Sequence, residues 1–192
     1  MKIRVHFFII LSIVMVIFFK DISILMLFLA AALHELGHIL AARLMGISFS
    51  EFKFDLLGAG LGTDTSLLSY GQEILLCLAG PLTNLTVALV LLHVPIPHDN
   101  IYSNYFILSS LFLGILNLFP IKSFDGGRVF YVIVEKLFNI NVADKLSAIT
   151  SFIMIFFMWS LALFLLMRFT FSLSLFIFSI SLFSRIFITG KK

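Results

Sequence analysis

Six long apolar runs leave this chain few ways to fold: roughly residues 5–19, 22–45, 73–94, 105–119, 146–167 and 169–188. Few charged residues interrupt them, and the whole chain is 61% hydrophobic and 12% charged, with a mean hydropathy of +1.15. An ordinary soluble domain of 192 residues is not built from such a composition. In hydrocarbon every backbone N–H and C=O must find a partner inside the protein, and a helix provides this within each segment. The sequence therefore predicts an all-α polytopic membrane protein with about six transmembrane helices, forming a single transmembrane domain over 1–192.

The remaining composition narrows the possibilities further. Cys77 is the only cysteine, so no intramolecular disulfide and no cysteine-based metal cluster is expected. The 24 phenylalanines are most simply lipid-facing and helix-packing bulk. A net charge of +3 would suggest nucleic acid only if a soluble face gathered the basic residues, and none is present to do so; no nucleic-acid partner is expected. The lysines and arginines act as topology signals instead. With the N-terminus in the cytoplasm, eleven of the thirteen fall inside and only Lys20 and Arg168 outside, which predicts N- and C-termini that are both cytoplasmic. Lys2 and Arg4 before the first apolar run resemble the start of a signal peptide. No small-residue cleavage site follows at Phe18-Phe19-Lys20-Asp21, so the run is read as a retained first helix.

One apolar run carries chemistry. His34-Glu35-Leu36-Gly37-His38 lies between Ile22 and Met45, and on a helix residues four apart share a face. Two imidazoles on one face can grip one metal ion, and the adjacent Glu35 can serve as general base toward water at that ion. Charged groups in hydrocarbon cost roughly 2–3 kcal/mol each, so their presence argues for a buried polar site. The competing reading is that membrane-helix histidines merely hydrogen-bond to a neighbouring helix. His93 and His98 lie at a helix boundary without a matching carboxylate and read as interfacial.

Residues 47–72 change character. Phe52, Phe54 and Leu56 alternate with Lys53 and Asp55, the period of a strand, and Gly58-Ala59-Gly60-Leu61-Gly62 supplies a break. A small membrane-associated β-hairpin after the second helix is expected. It is either a plain connection or an edge, with Phe52 and Phe54 as candidate substrate contacts, that an extended peptide completes by strand addition. The next helix, about Glu73 to Val94, contains Ala79-Gly80-Pro81-Leu82-Thr83-Asn84, where close helix packing is the plain reading. The fourth helix is expected to break at Pro120 and the Gly126-Gly127 pair and to resume over Val129–Phe138. Broken helices at membrane depth line protein-buried or watered cavities. Asp125, in that break, is the candidate third metal ligand, and the catalytic core is placed at about 22–138.

Three blocks, His34 to His38, Ala79 to Asn84 and Asn117 to Gly127, together resemble the site-2 protease family of intramembrane zinc metalloproteases. Within that family the chain most resembles the stage IV sporulation FB type. The resemblance implies one Zn2+ per chain held by His34, His38 and Asp125, with Glu35 as catalytic base. It also implies that Asn117 and Pro120 belong to a turn that positions the aspartate and contacts substrate. A membrane-tethered protein substrate, a sporulation sigma-factor precursor by the narrower likeness, and regulatory membrane proteins would be the partners, in a bacterial cell membrane. The FB-type pattern usually has a second proline where Ser123 stands, so the loop before Asp125 is expected to differ. A non-catalytic membrane scaffold and a metal transporter are the alternatives. The transporter would need ionisable residues in the other helices, which are almost purely apolar, and the scaffold sits poorly with an intact Glu35.

Overall fold

The computed structural model describes residues 22–47, 51–55, 58–62, 68–94, 100–168 and 179–189. They belong to two compact units that divide after Leu118.

The first unit contains helices α1 (Ile22–Leu44), α2 (Tyr70–His93) and α3 (Ile101–Asn117), with strands β1 (Glu51–Asp55) and β2 (Gly58–Gly62) between α1 and α2. The strands pair antiparallel, Glu51 opposite Gly62 and Asp55 opposite Gly58. Each of the three helices packs against the other two. The residues that meet there are small: Ala30, Ala42, Gly80, Pro81, Ala88, Ser110 and Gly114 are buried. Small side chains let helix backbones approach closely, which is how helices associate where lipid removes the hydrophobic drive. At Gly37 the approach is tightest, since a Cβ there would lie 2.8 Å from the Ala79 carbonyl oxygen.

The ends of these helices follow from local sequence. Gly46, at φ 70°, closes α1, with Gly46 N–H donating to Arg43 C=O and Ile47 N–H to Ala42 C=O. That pair of bonds satisfies carbonyls the helix leaves open. At the start of α2, Ser69 Oγ accepts from Gln72 N–H while Gln72 Oε1 accepts from Ser69 N–H, a reciprocal cap. The helix therefore begins at Tyr70, three residues before the predicted Glu73. Asn100 caps α3 through its side-chain oxygen.

The second unit contains α4 (Asp125–Leu137), α5 (Ile140–Arg168) and residues 179–189, helical and ending in a π-helical stretch over Ser184–Thr189. Helix α4 packs on α5, and Trp159 and Phe152 of α5 meet the rings of Phe183 and Phe187. Two corrections arise here. The glycine pair does not break a helix; it lies in the first turn of α4, which starts at Asp125 and not at Val129. The reason is space, because a Cβ at Gly127 would overlap the Ile121 carbonyl, and only glycine lets the helix begin against the preceding loop. Helix α5 likewise begins six residues before the apolar run, at Ile140, where the Asn139 side chain accepts from Val142 N–H.

The count of six spans is not supported. Among the described residues three helices are long and apolar enough to cross a membrane, over Ser23–Leu44, Tyr70–His93 and Ile140–Phe164. Helix α3 is apolar but has 17 residues. At about 1.5 Å per residue it reaches about 26 Å, short of a hydrocarbon core of about 30 Å. The predicted first run, 5–19, lies outside the described residues, as does the first half of the last run.

Candidate metal centre

His34, Glu35 and His38 project from the second half of α1 and are all buried, at 6%, 9% and 5% exposure. The helix repeat brings the two imidazoles together edge to face, with ring centroids 4.8 Å apart. Their Nε2 atoms face each other at 3.2 Å. His38 Nδ1–H donates to the main-chain carbonyl of Leu76 on α2, at 2.8 Å. A carbonyl can only accept, so this bond fixes the proton on Nδ1 and leaves the Nε2 lone pair of neutral His38 directed at His34.

Two nitrogens that ligate one tetrahedral zinc at about 2.0–2.1 Å each stand about 3.3 Å apart. The observed 3.2 Å is that separation. A ligating histidine also engages its other ring nitrogen with a fixed acceptor, as His38 does with Leu76.

The other sequence-predicted residues lie as follows. Asp125 is the first residue of α4 in the second unit, half-buried, its carboxylate at the helix end where the dipole favours negative charge. Pro120 is half-buried in the loop ahead of it. Asn117 ends α3, and its Nδ2 donates back to Leu113 C=O at 3.1 Å. Phe52 and Phe54 stand on β1, opposite Leu61 and Ala59.

The loop ahead of Asp125 is tied down inside its own unit. Lys122 N–H donates to Ser151 Oγ on α5 at 2.9 Å, and that hydroxyl donates to Ser147 C=O at 2.6 Å. Ile121 and Phe124, on either side, are buried. Ser151 and the Leu76 carbonyl both escaped the sequence reading. A serine in an apolar helix has many uses, and a backbone acceptor carries no residue-type signal at all.

Comparison with known proteins gives these residues a context. The model of Peptidase family M50 matches residues 22–97 and 98–161, more than half of the chain. The chain belongs to peptidase family M50. This M50 chain is 31% identical over 135 residues to the zinc metalloprotease MJ0392 of Methanocaldococcus jannaschii. That match covers 68% of this chain but 39% of the relative, so the chain spans about two fifths of that protein's length. Its fold is similar to the solved structure of a site-2 protease from the same organism, with a TM-score of 0.67 and 25% identity over 92% of this chain and 82% of that one. Family membership and the apolar helices make it an integral membrane protein, and the family implies the zinc that the histidine pair fits.

Proposed function

We propose that this M50 chain is an intramembrane zinc metalloprotease of the site-2 type that hydrolyses a peptide bond in or beside the transmembrane segment of a membrane-tethered protein. The observation that carries this reading is the buried pair of Nε2 atoms 3.2 Å apart, with His38 oriented by the Leu76 carbonyl. The proposed donor set for one ion per chain, carried by the sequence blocks, is two imidazoles from His34 and His38 and one carboxylate from Asp125. Bound there, zinc would polarise the scissile carbonyl and lower the pKa of its water. Glu35, one residue from His34 and one turn from His38, takes the proton of the attacking water and delivers it to the departing amine nitrogen.

A substrate helix protects its own peptide bonds, so the cleaved stretch must first be extended. The β1–β2 hairpin, through Phe52 and Phe54, and the turn containing Asn117 and Pro120 are the elements proposed to hold it, by main-chain pairing. Both ends of the chain are assigned to the cytoplasm from the distribution of lysine and arginine, which brings water to the site from that side. The narrower likeness to the stage IV sporulation FB type rests on the six-helix reading of the sequence, the lack of a PDZ-like insertion and the cytoplasmic-side placement of the site, and six spans are not found among the described residues. The substrate class is therefore put as a membrane-tethered protein, with regulatory membrane proteins as further partners.

The test compares wild type and Glu35→Gln, purified in detergent, for zinc content and for cleavage of a membrane-tethered substrate. One zinc per chain in both, with cleavage by wild type alone, is expected. Cleavage by Glu35→Gln at the wild-type rate would sink the mechanism.

A further inference from the structure

Helix α2 presents two successive turns to the histidine pair. Leu76 offers its carbonyl to His38, and Gly80, one turn later, lies directly against both rings. If Gly80 carried a Cβ, its three nearest heavy atoms would all be imidazole atoms. The Cβ would overlap His38 Nε2 and lie 2.7 Å from His34 Nε2 and 2.8 Å from His34 Cε1. The volume above Gly80 is thus bounded by the Nε2 ends of both rings.

We propose that Gly80 is a positioning residue of the metal site: its missing side chain reserves the space that the two Nε2 atoms share, and any larger residue forces the imidazoles apart. The inference rests on the reading in which His34 and His38 hold a metal. It differs from a packing argument in what the Cβ meets. At Gly37 the obstacle includes the Ala79 backbone, so a side chain there pushes helices apart. At Gly80 the obstacles are ring tips, which can swing away while α1 and α2 stay in place. His38 can swing only by giving up its bond to Leu76. Alanine is also the better helix former, so the substitution should not weaken α2 itself. Loss of metal without loss of fold is the signature that separates the two explanations.

The experiment uses the full chain in detergent, stripped of metal, with zinc alone as the probe. Zinc affinity is measured by competition with a chromogenic chelator, and the melting temperature is recorded with and without zinc. Gly71→Ala, on the same helix, is the control, since a Cβ there meets no neighbouring element within 4 Å. Gly71→Ala should bind zinc as wild type does. Gly80→Ala should still fold without metal, bind zinc about 10–100-fold more weakly, and lose most of the zinc-dependent rise in melting temperature. Wild-type zinc affinity in Gly80→Ala would overturn the inference while leaving the proposed function standing. No zinc binding by wild type would remove both. If Gly80→Ala does not fold, the variant that also carries His34→Ala and His38→Ala decides. Recovery of folding there supports the clash with the rings, and continued failure assigns the defect to helix packing and overturns the inference.

Discussion

Replacing Ser151 with alanine removes the acceptor that holds the 119–124 loop to α5. Lys122 N–H reaches Ser151 Oγ at 2.9 Å, and the serine is fully buried, so no water can take its place at the surface of the helix. A buried donor left unsatisfied costs about 1–3 kcal/mol, whereas exchanging serine for alanine within a helix returns about 0.5 kcal/mol. The net loss should be about 0.5–2.5 kcal/mol. Ser160 on the same helix provides the control: its exposed hydroxyl donates to Phe156 C=O, and no loop depends on it. Ser160→Ala should stay within about 0.5 kcal/mol of wild type. The single tryptophan, Trp159, lies on α5 against Phe183 and reports unfolding of this unit by its fluorescence in a denaturant titration. Ser151→Thr, which keeps an acceptor, should recover most of the loss. Equal midpoints for Ser151→Ala and Ser160→Ala would refute the claim that this bond anchors the loop.

Removal of the metal by a chelator should stop cleavage reversibly and lower the melting temperature; zinc at about 1,000 times its dissociation constant stabilises by about 4 kcal/mol, a difference readable by scanning the stripped and reloaded protein. Ser69→Ala should destabilise by about 1 kcal/mol through loss of the reciprocal cap with Gln72, with zinc affinity unchanged in the chelator competition. Asn84 is fully buried with neither amide atom hydrogen-bonded among the described residues, so Asn84→Leu should be neutral or stabilising in a thermal melt.

The parts of the site that were legible in the sequence are those in which spacing along one helix determines spacing in space. His34 and His38 meet because four residues make about one turn, and the surrounding apolar run showed that the turn would be helical. Helix starts were less legible, because they depend on one or two polar side chains outside the apolar run. Ser69 with Gln72 carries a readable cap, yet hydropathy placed the start of α2 after it. Asn139 did the same for α5. The Gly126-Gly127 pair misled for a different reason. Glycine weakens a helix intrinsically, but at Gly127 the close approach of the Ile121 carbonyl makes glycine the residue that permits one. Contacts to main-chain atoms, such as His38 with Leu76, leave no trace in residue types.

That last contact has a consequence for how the protein tolerates change. Because His38 is oriented by a backbone carbonyl, no side-chain substitution at position 76 deletes the acceptor; an isoleucine or methionine there would present the same oxygen. A saturation library would score the position as permissive to apolar residues and miss its part in aiming the histidine. What the contact cannot survive is a change of phase. One residue inserted or deleted between Ile47 and Ser69 leaves both helices intact, but one inserted between Leu76 and Gly80 turns one site neighbour about 100° away from the other. The stretch from Leu76 to Gly80 is therefore a ruler whose length is constrained far more tightly than its lettering.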